Sequence, residues 1–133
     1  MPDQSHVGRR YEATGQVVDG DGARAFAEAI AGSDDVFSPG TVPPTYAAFY
    51  CLFPTLYQLF GDEQVGVNLA GLVHGEQSFE WPAPVRAGDV VDATAVIASV
   101  EEKRGMIFLG IDHEAHRQDG ATVCRGRSLM IIR

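Results

Sequence analysis

The chain has 133 residues, of which 45% are hydrophobic and 21% are charged, which is ordinary for one water-soluble globular domain. Its formal net charge of −8 argues against a nucleic acid or an anionic membrane as the main partner. Residues 1–85 hold 3 basic and 11 acidic side chains, whereas residues 86–133 hold 7 of each, so an anionic ligand would more readily meet the second part.

The beginning of the chain predicts one strand and one short helix. Residues 10–18 have the β-prone composition of a strand, and an Asp/Gly turn follows them. Asp21 is the expected N-cap of a helix over residues 23–31, and Gly32 is the glycine expected to close it. Residues 33–43 are then predicted to be irregular, because they are rich in Ser, Asp, Pro and Gly.

Residues 44–60 predict a helix with six aromatic side chains. These are separated by 3, 1, 3, 4 and 3 residues, the spacing of one helical stripe, and the residues between them are largely apolar. A helix that is apolar on all sides is expected to be buried. Pro54 lacks the N–H that a helix interior needs, so we expect a bend or two short helices in line. The aromatic residues are Tyr46, Phe49, Tyr50, Phe53, Tyr57 and Phe60.

The rest of the chain predicts four long strands, because β-prone stretches alternate with turns. Glu102–Gly105 and Gln118–Gly120 are predicted to be the turns of two hairpins, so the strands that they join are expected to be antiparallel. Pro82–Asp89 is the longer connection between the first two of these strands. One buried helix beside a long antiparallel sheet indicates an α+β fold in which the sheet wraps around the helix. The predicted strands cover residues 69–81, 90–101, 106–116 and 121–132.

The N-terminus and the cysteines indicate the compartment. The first ten residues are polar and no apolar run follows them, so no secretory signal is predicted. The aromatic helix is too short, and too interrupted by Pro54, to span a bilayer. Cys51 and Cys124 do not make a disulfide framework and are expected to be reduced packing residues of a cytoplasmic protein.

Five segments match the motifs of one known family in the correct order: AFAEAI at 25–30, VPPTYAA at 42–48, LVHGEQSFEW at 72–81, PAPVRAGDVV at 82–91 and EEKRG at 101–105. The last three resemble the LHGEQ-F-Y segment, the P-L-R-x-G-D turn and the E-K-R-G hairpin of N-terminal, FAS1-like dehydratase domains in the MaoC-like hydratase and dehydratase superfamily. The resemblance implies a single hot-dog domain over residues 1–133, with the sheet wrapped around the aromatic helix.

The family also implies an activity in lipid metabolism. This is the (R)-type hydration of a trans-2-enoyl thioester of coenzyme A or acyl carrier protein, or the reverse dehydration of a 3-hydroxyacyl thioester. An acid and a base must reach the C2–C3 bond, and a donor must hold the thioester carbonyl as negative charge develops. Catalytic members carry an Asp and a His in a G-D-x-N-P-x-H segment after the short helix. No cofactor and no metal are implied.

The chain departs from that catalytic segment, because it reads GSDDVF at 32–37 and Phe37 stands about where histidine belongs. The resemblance therefore implies a tunnel-forming half that works with a catalytic hot-dog partner. Pairing edge to edge would also cover the open edge of the sheet, so a homodimer or heterodimer is expected. The alternatives are a homodimeric hydratase with a variant site, a non-enzymatic acyl-CoA binding module and a hot-dog thioesterase.

His74 and Asp35 are the candidate catalytic residues of a variant site. His74 would replace the missing base, with Glu76 and Gln77 nearby as orienting groups. Strand alternation, however, places His74 and Glu76 on one face and Gln77 on the other. The simpler interpretation makes His74 a tunnel-lining or packing residue and Asp35 an ordinary turn residue.

Four further residues are candidates for substrate binding. Tyr46 and Tyr50 would line an apolar tunnel along the aromatic helix, or belong to the core. Arg125 and Arg127 share one face of the last strand and would meet the phosphates of coenzyme A, or form a solvated or interface face.

The segment His113–His116 contains two histidines and a glutamate and so resembles a metal-binding motif. Its histidines are three residues apart on a predicted strand, which points them to opposite faces, so a metal site is not expected.

Overall fold

The computed structural model describes residues 1–33, 37 and 40–133, which form a five-stranded antiparallel sheet with helices packed on its inner face. None of the helices within these residues has the length and apolar character needed to cross a bilayer. The strands are β1 (Arg10–Val17), β2 (Leu72–Glu80), β3 (Val90–Lys103), β4 (Met106–Arg117) and β5 (Thr122–Ile132), and the α-helices are α1 (Gly20–Ala31) and α2 (Phe53–Phe60).

The strand order is β1-β3-β4-β5-β2, with each neighbouring pair antiparallel. The two predicted hairpins are confirmed as β3–β4 and β4–β5. The connection over residues 82–89 is not a hairpin, because it carries the chain from β2 at one edge to β3 near the other. Residues 69–71 form a short 3₁₀ turn rather than the start of β2.

Helix α1 begins earlier than the sequence predicts. The backbone N–H of Asp21 donates to the carboxylate of Asp19 at 3.2 Å, so Asp19 is the N-cap and Asp21 already lies inside the helix. A capping side chain must reach an N–H about two residues further on, and Asp19 has the extended backbone that allows it. Gly32 closes the helix with a left-handed φ of 77°, as predicted.

Pro54 divides the central helical region. A π-helical turn over Ala48–Leu52 precedes α2, and Pro54 lies in the first turn of α2, where its missing N–H interrupts no hydrogen bond. Two helical pieces in line are therefore confirmed. Leu56 and Leu59 are at most 2% exposed and pack in one cluster with inner-face residues of the sheet, among them Ile111 of β4.

A second core cluster holds the two cysteines. Cys51 and Cys124 are free and fully buried, and both belong to this cluster. The neighbouring Cys124 thiol is the largest cause that raises the pKa of Cys51, and burial adds to it. The expected role of the cysteines as reduced packing residues is confirmed.

The β3–β4 turn offers a test of backbone strain. Arg104 has a φ of 53°, the only left-handed non-glycine residue among those described, and Gly105 follows with a φ of 76°. Two successive positive φ values belong to a type I′ turn, which favours Asn-Gly. Arg104→Asn is expected to raise the free energy of unfolding by up to about 1 kcal/mol, measured by chemical denaturation. Lys103→Asn is the control, because Lys103 does not have a positive φ. An unchanged denaturation midpoint for Arg104→Asn would contradict the prediction.

Candidate functional site

Four polar side chains form a hydrogen-bonded row across β4, β5 and β2, which we call the polar row. His113 Nε2 lies 2.8 Å from Ser128 Oγ, and Ser128 Oγ lies 2.6 Å from Gln77 Oε1. His74 Nε2 lies 3.0 Å from the same Gln77 oxygen. His113 and Ser128 are 1% and 0% exposed, whereas His74 is exposed on the edge strand. The polar row therefore runs from the core to the edge of the sheet.

A bulge in β2 allows this row to form. Gly75 is the extra residue where the register of β2 against β5 shifts. Since an extra residue moves the alternation by one, His74 shares a face with Gln77 rather than with Glu76, and the prediction that separated His74 from Gln77 is wrong. A Cβ at position 75 would lie 2.9 Å from Cδ1 of Ile131, so a larger residue there would require the end of that side chain to shift.

His113 is a residue of the candidate site that the sequence analysis considered only as part of a possible metal motif. Burial is the main cause that lowers its pKa to about 4; the Asp112 carboxylate opposes this effect and His74 adds to it. The ring is therefore neutral at pH 7. A signal was present in the sequence, because the alternation in β4 sets Ile111, His113 and Ala115 on the buried face.

His116 lies on the opposite face of β4, as predicted. Its Nε2 is 3.0 Å from Oε2 of Glu114, and its Nδ1 is 3.1 Å from the Thr122 hydroxyl. The two histidines of this strand therefore serve separate networks. No group of three metal-ligating side chains occurs in the part of the chain that the structure describes.

A row of aromatic rings in contact, which we call the aromatic ladder, runs along one side of the central helix from Phe26 of α1. Phe53 and Tyr57 stack, whereas the other neighbouring pairs meet edge to face. Ring centroids are 5.7 Å apart for Phe26 and Phe49, 5.5 Å for Phe49 and Phe53, and 5.7 Å for Phe53 and Tyr57. Phe49 is 48% exposed and Tyr57 is 68% exposed, so the expectation of a helix buried on all sides is wrong at these positions. Contiguous exposed apolar surface of this kind indicates a place that binds a ligand or another chain.

Tyr46 and Tyr50 lie beneath this ladder. They are 7% and 3% exposed, and burial is the main cause that raises the pKa of both phenols. The Tyr46 ring is 5.0 Å from that of Phe49 and 6.5 Å from that of Tyr50. Their role in substrate binding stays a prediction.

Arg125 and Arg127 lie on the outer face, away from the helices. Arg127 donates to both carboxylate oxygens of Asp112, at 2.7 and 3.1 Å, and Arg125 donates to Glu114 at 3.4 Å. Both line an open groove of about 380 Å³ between β2, β4 and β5. A phosphate would have to replace these carboxylates, so a role of these arginines in binding coenzyme A stays a prediction.

Asp34 and Asp35 lie outside the described residues, so Asp35 also stays a prediction as a catalytic residue. Phe37, which stands about where the family's histidine belongs, is described and half-buried.

Comparison with known sequences identifies relatives along almost the whole chain. The model of a family described as "FAS1-like, dehydratase domain region" matches residues 5–125. A UPF0336 protein of Streptomyces coelicolor is 30% identical over 142 residues, covering 98% of this chain and 95% of that protein.

Solved structures share the fold. The HadBC (3R-hydroxyacyl-ACP dehydratase) complex of Mycobacterium tuberculosis has a TM-score of 0.78 at 22% identity, covering 95% of this chain and 96% of that chain. The (R)-hydratase from A. caviae involved in PHA biosynthesis has a TM-score of 0.62 at 22% identity, covering 98% and 100%. The predicted α+β fold, a long antiparallel hot-dog sheet wrapped around an aromatic helix, is confirmed.

Proposed function

The chain belongs to the FAS1-like dehydratase-region family of MaoC-like hot-dog proteins, and from this we propose that it is one subunit of an (R)-type enoyl-thioester hydratase or 3-hydroxyacyl-thioester dehydratase. It supplies the acyl-binding half of the site. A catalytic hot-dog partner supplies the acid and the base. The substrate is a thioester of coenzyme A or acyl carrier protein in cytoplasmic lipid metabolism.

The aromatic ladder is the observation that carries this proposal. Phe49 and Tyr57 expose large apolar rings beside the better-covered Phe53, a surface that an acyl chain or a second hot-dog domain would cover. Alkyl chains gain free energy by leaving water for such a surface, at about 0.8 kcal/mol for each methylene group buried. The ladder provides mainly apolar contact, and it contains neither a carboxylate nor a histidine.

The division of labour follows from the segment at 32–37. Hydration needs one group that activates a water molecule and another that handles the proton on Cα. Phe37 cannot perform either task, so in this proposal the catalytic histidine comes from another chain. Edge strand β2 has β5 on one side, and no strand of the described residues pairs with its other side, where a partner's edge could pair. The likeness to a chain of the HadBC complex supports assembly of two hot-dog chains.

A second candidate is favoured by the polar row. His74 is exposed and anchored to Gln77, so a homodimer with a variant active site would use it as the base. A non-enzymatic acyl-CoA binding module would bind the same esters without turnover in any assembly.

The first test measures hydration of a panel of trans-2-enoyl-CoA esters by the chain alone, with binding measured in parallel. We expect binding without turnover, because the acyl-binding surface is present and the catalytic histidine is absent. Turnover by the chain alone would contradict the proposal and favour the homodimer. Neither binding nor turnover would contradict both candidates.

A further inference from the structure

The donor and the acceptor in each hydrogen bond of the polar row follow from the number of protons that each group carries. The Gln77 amide nitrogen donates to the carbonyl of Ser78 at 2.9 Å, which orients the amide. Oε1 of Gln77 is an acceptor only, so it receives the Ser128 hydroxyl proton at 2.6 Å and the Nε2 proton of His74 at 3.0 Å. Ser128 has no second proton, so Nε2 of His113 must donate to it.

This count determines the tautomer of His74. A neutral imidazole carries one proton, and Gln77 holds the proton of His74 on Nε2. Nδ1 of His74 is therefore a bare acceptor on an exposed side chain. The buried end of the row is consistent with this arrangement, because Ser128 gives its only proton to Gln77 and receives the Nε2 proton of His113.

The bulge shows that this placement is built into the strand. Without Gly75, regular alternation would turn His74 away from Gln77 and from the face on which the helices pack. The bulge instead sets the ring on the inner face of edge strand β2. A subunit paired along that edge would meet these side chains, and so would a thioester bound between the two subunits, as the proposed function expects.

The geometry points to His74 as a substrate-contacting residue whose Nδ1 accepts a hydrogen bond from the 3-hydroxyl group of a 3-hydroxyacyl thioester. This inference rests on the proposed function, which supplies the substrate class. Near the reacting carbons the thioester carbonyl is only an acceptor, so the hydroxyl is the group that matches a bare nitrogen. The amide N–H groups of the pantetheine arm share this donor chemistry and must be distinguished from it. Gln77 is the positioning residue.

The test compares the affinities for 3-hydroxydecanoyl-CoA and decanoyl-CoA, measured by calorimetry on the full chain in the assembly in which it purifies. Both esters carry the same pantetheine amides, so their affinity ratio isolates the hydroxyl group. We expect a preference for the hydroxyacyl ester of about 3- to 10-fold, the usual effect of one net hydrogen bond. His74→Phe should abolish the preference, whereas His116→Phe, which removes a histidine from the outer face, should keep it.

A second readout follows the tautomer directly. Long-range ¹H–¹⁵N spectra should show His74 protonated on Nε2, and Gln77→Met should remove this bias and reduce the hydroxyl preference. A change in packing alone would leave the tautomer of His74 unmoved. An Nδ1-protonated His74 in the native chain would overturn the inference.

The outcomes separate this inference from the proposed function. A native chain without hydroxyl preference, including one that binds neither ester, overturns the assignment. Equal weakening of both esters by His74→Phe assigns the contact to a pantetheine amide and also overturns it. A preference that depends on His74, in an assembly without hydratase activity, upholds the hydroxyl site and contradicts the proposed function.

Discussion

Assembly with a catalytic hot-dog subunit is expected to raise the rate of trans-2-enoyl-CoA hydration at least about 100-fold over the chain alone. Positioned acid and base groups contribute roughly 10²- to 10⁴-fold to reactions of this kind. This chain has Phe37 about where the catalytic segment of the family has its histidine. The rate would be followed as the loss of enoyl-thioester absorbance at equal active-site concentration. The catalytic subunit alone is the necessary control, because this chain must add to its activity by completing the acyl site.

His74→Phe in the same assembly separates the two candidate functions. If the partner supplies acid and base, the variant should change kcat/KM by no more than about 10-fold, since one hydrogen bond to substrate is lost. A fall of 100-fold or more would make His74 the base and contradict the division of labour. Equal rates with and without this chain would contradict the proposed function itself.

The sequence predicted the elements of the fold more securely than their arrangement. Apolar periodicity identified the central helix, and the composition of the turns identified the β3–β4 and β4–β5 hairpins. The position of β2 at the edge could not be read in this way, because pairing of β2 with β5 joins residues far apart in the chain. Local patterns carry no information about such pairing, which is set by how the whole sheet packs.

The site shows the same limit at the level of single residues. Regular alternation separated His74 from Gln77, whereas one extra residue at Gly75 brings them together. A bulge depends on the alignment of two strands, so the sequence of one strand does not reveal it. His113 is different, because its alternation with buried Ile111 and Ala115 was visible. That pattern indicated a core position for His113, although the nearby His116 also suggested a possible metal motif.

The folded protein is expected to lose stability as the pH falls from about 6.5 towards 4, with His113 as a principal cause. Burial lowers its pKa from 6.5 to about 4, so between these values the unfolded chain binds a proton that the folded chain does not. Stability therefore rises with pH across this window and is unaffected by His113 above it. The full loss is on the order of 3 kcal/mol, at up to about 1.4 kcal/mol for each pH unit.

His113→Phe tests this assignment, because phenylalanine keeps a buried ring and cannot be protonated. Free energies of unfolding measured from near neutral pH down to about pH 5 should fall less steeply for the variant than for the native chain. His116→Phe is the matched control, since that ring is partly exposed on the outer face beside Glu114 and should leave the slope nearly unchanged. Parallel curves for the native chain and His113→Phe would mean that the buried end of the polar row is not a neutral imidazole.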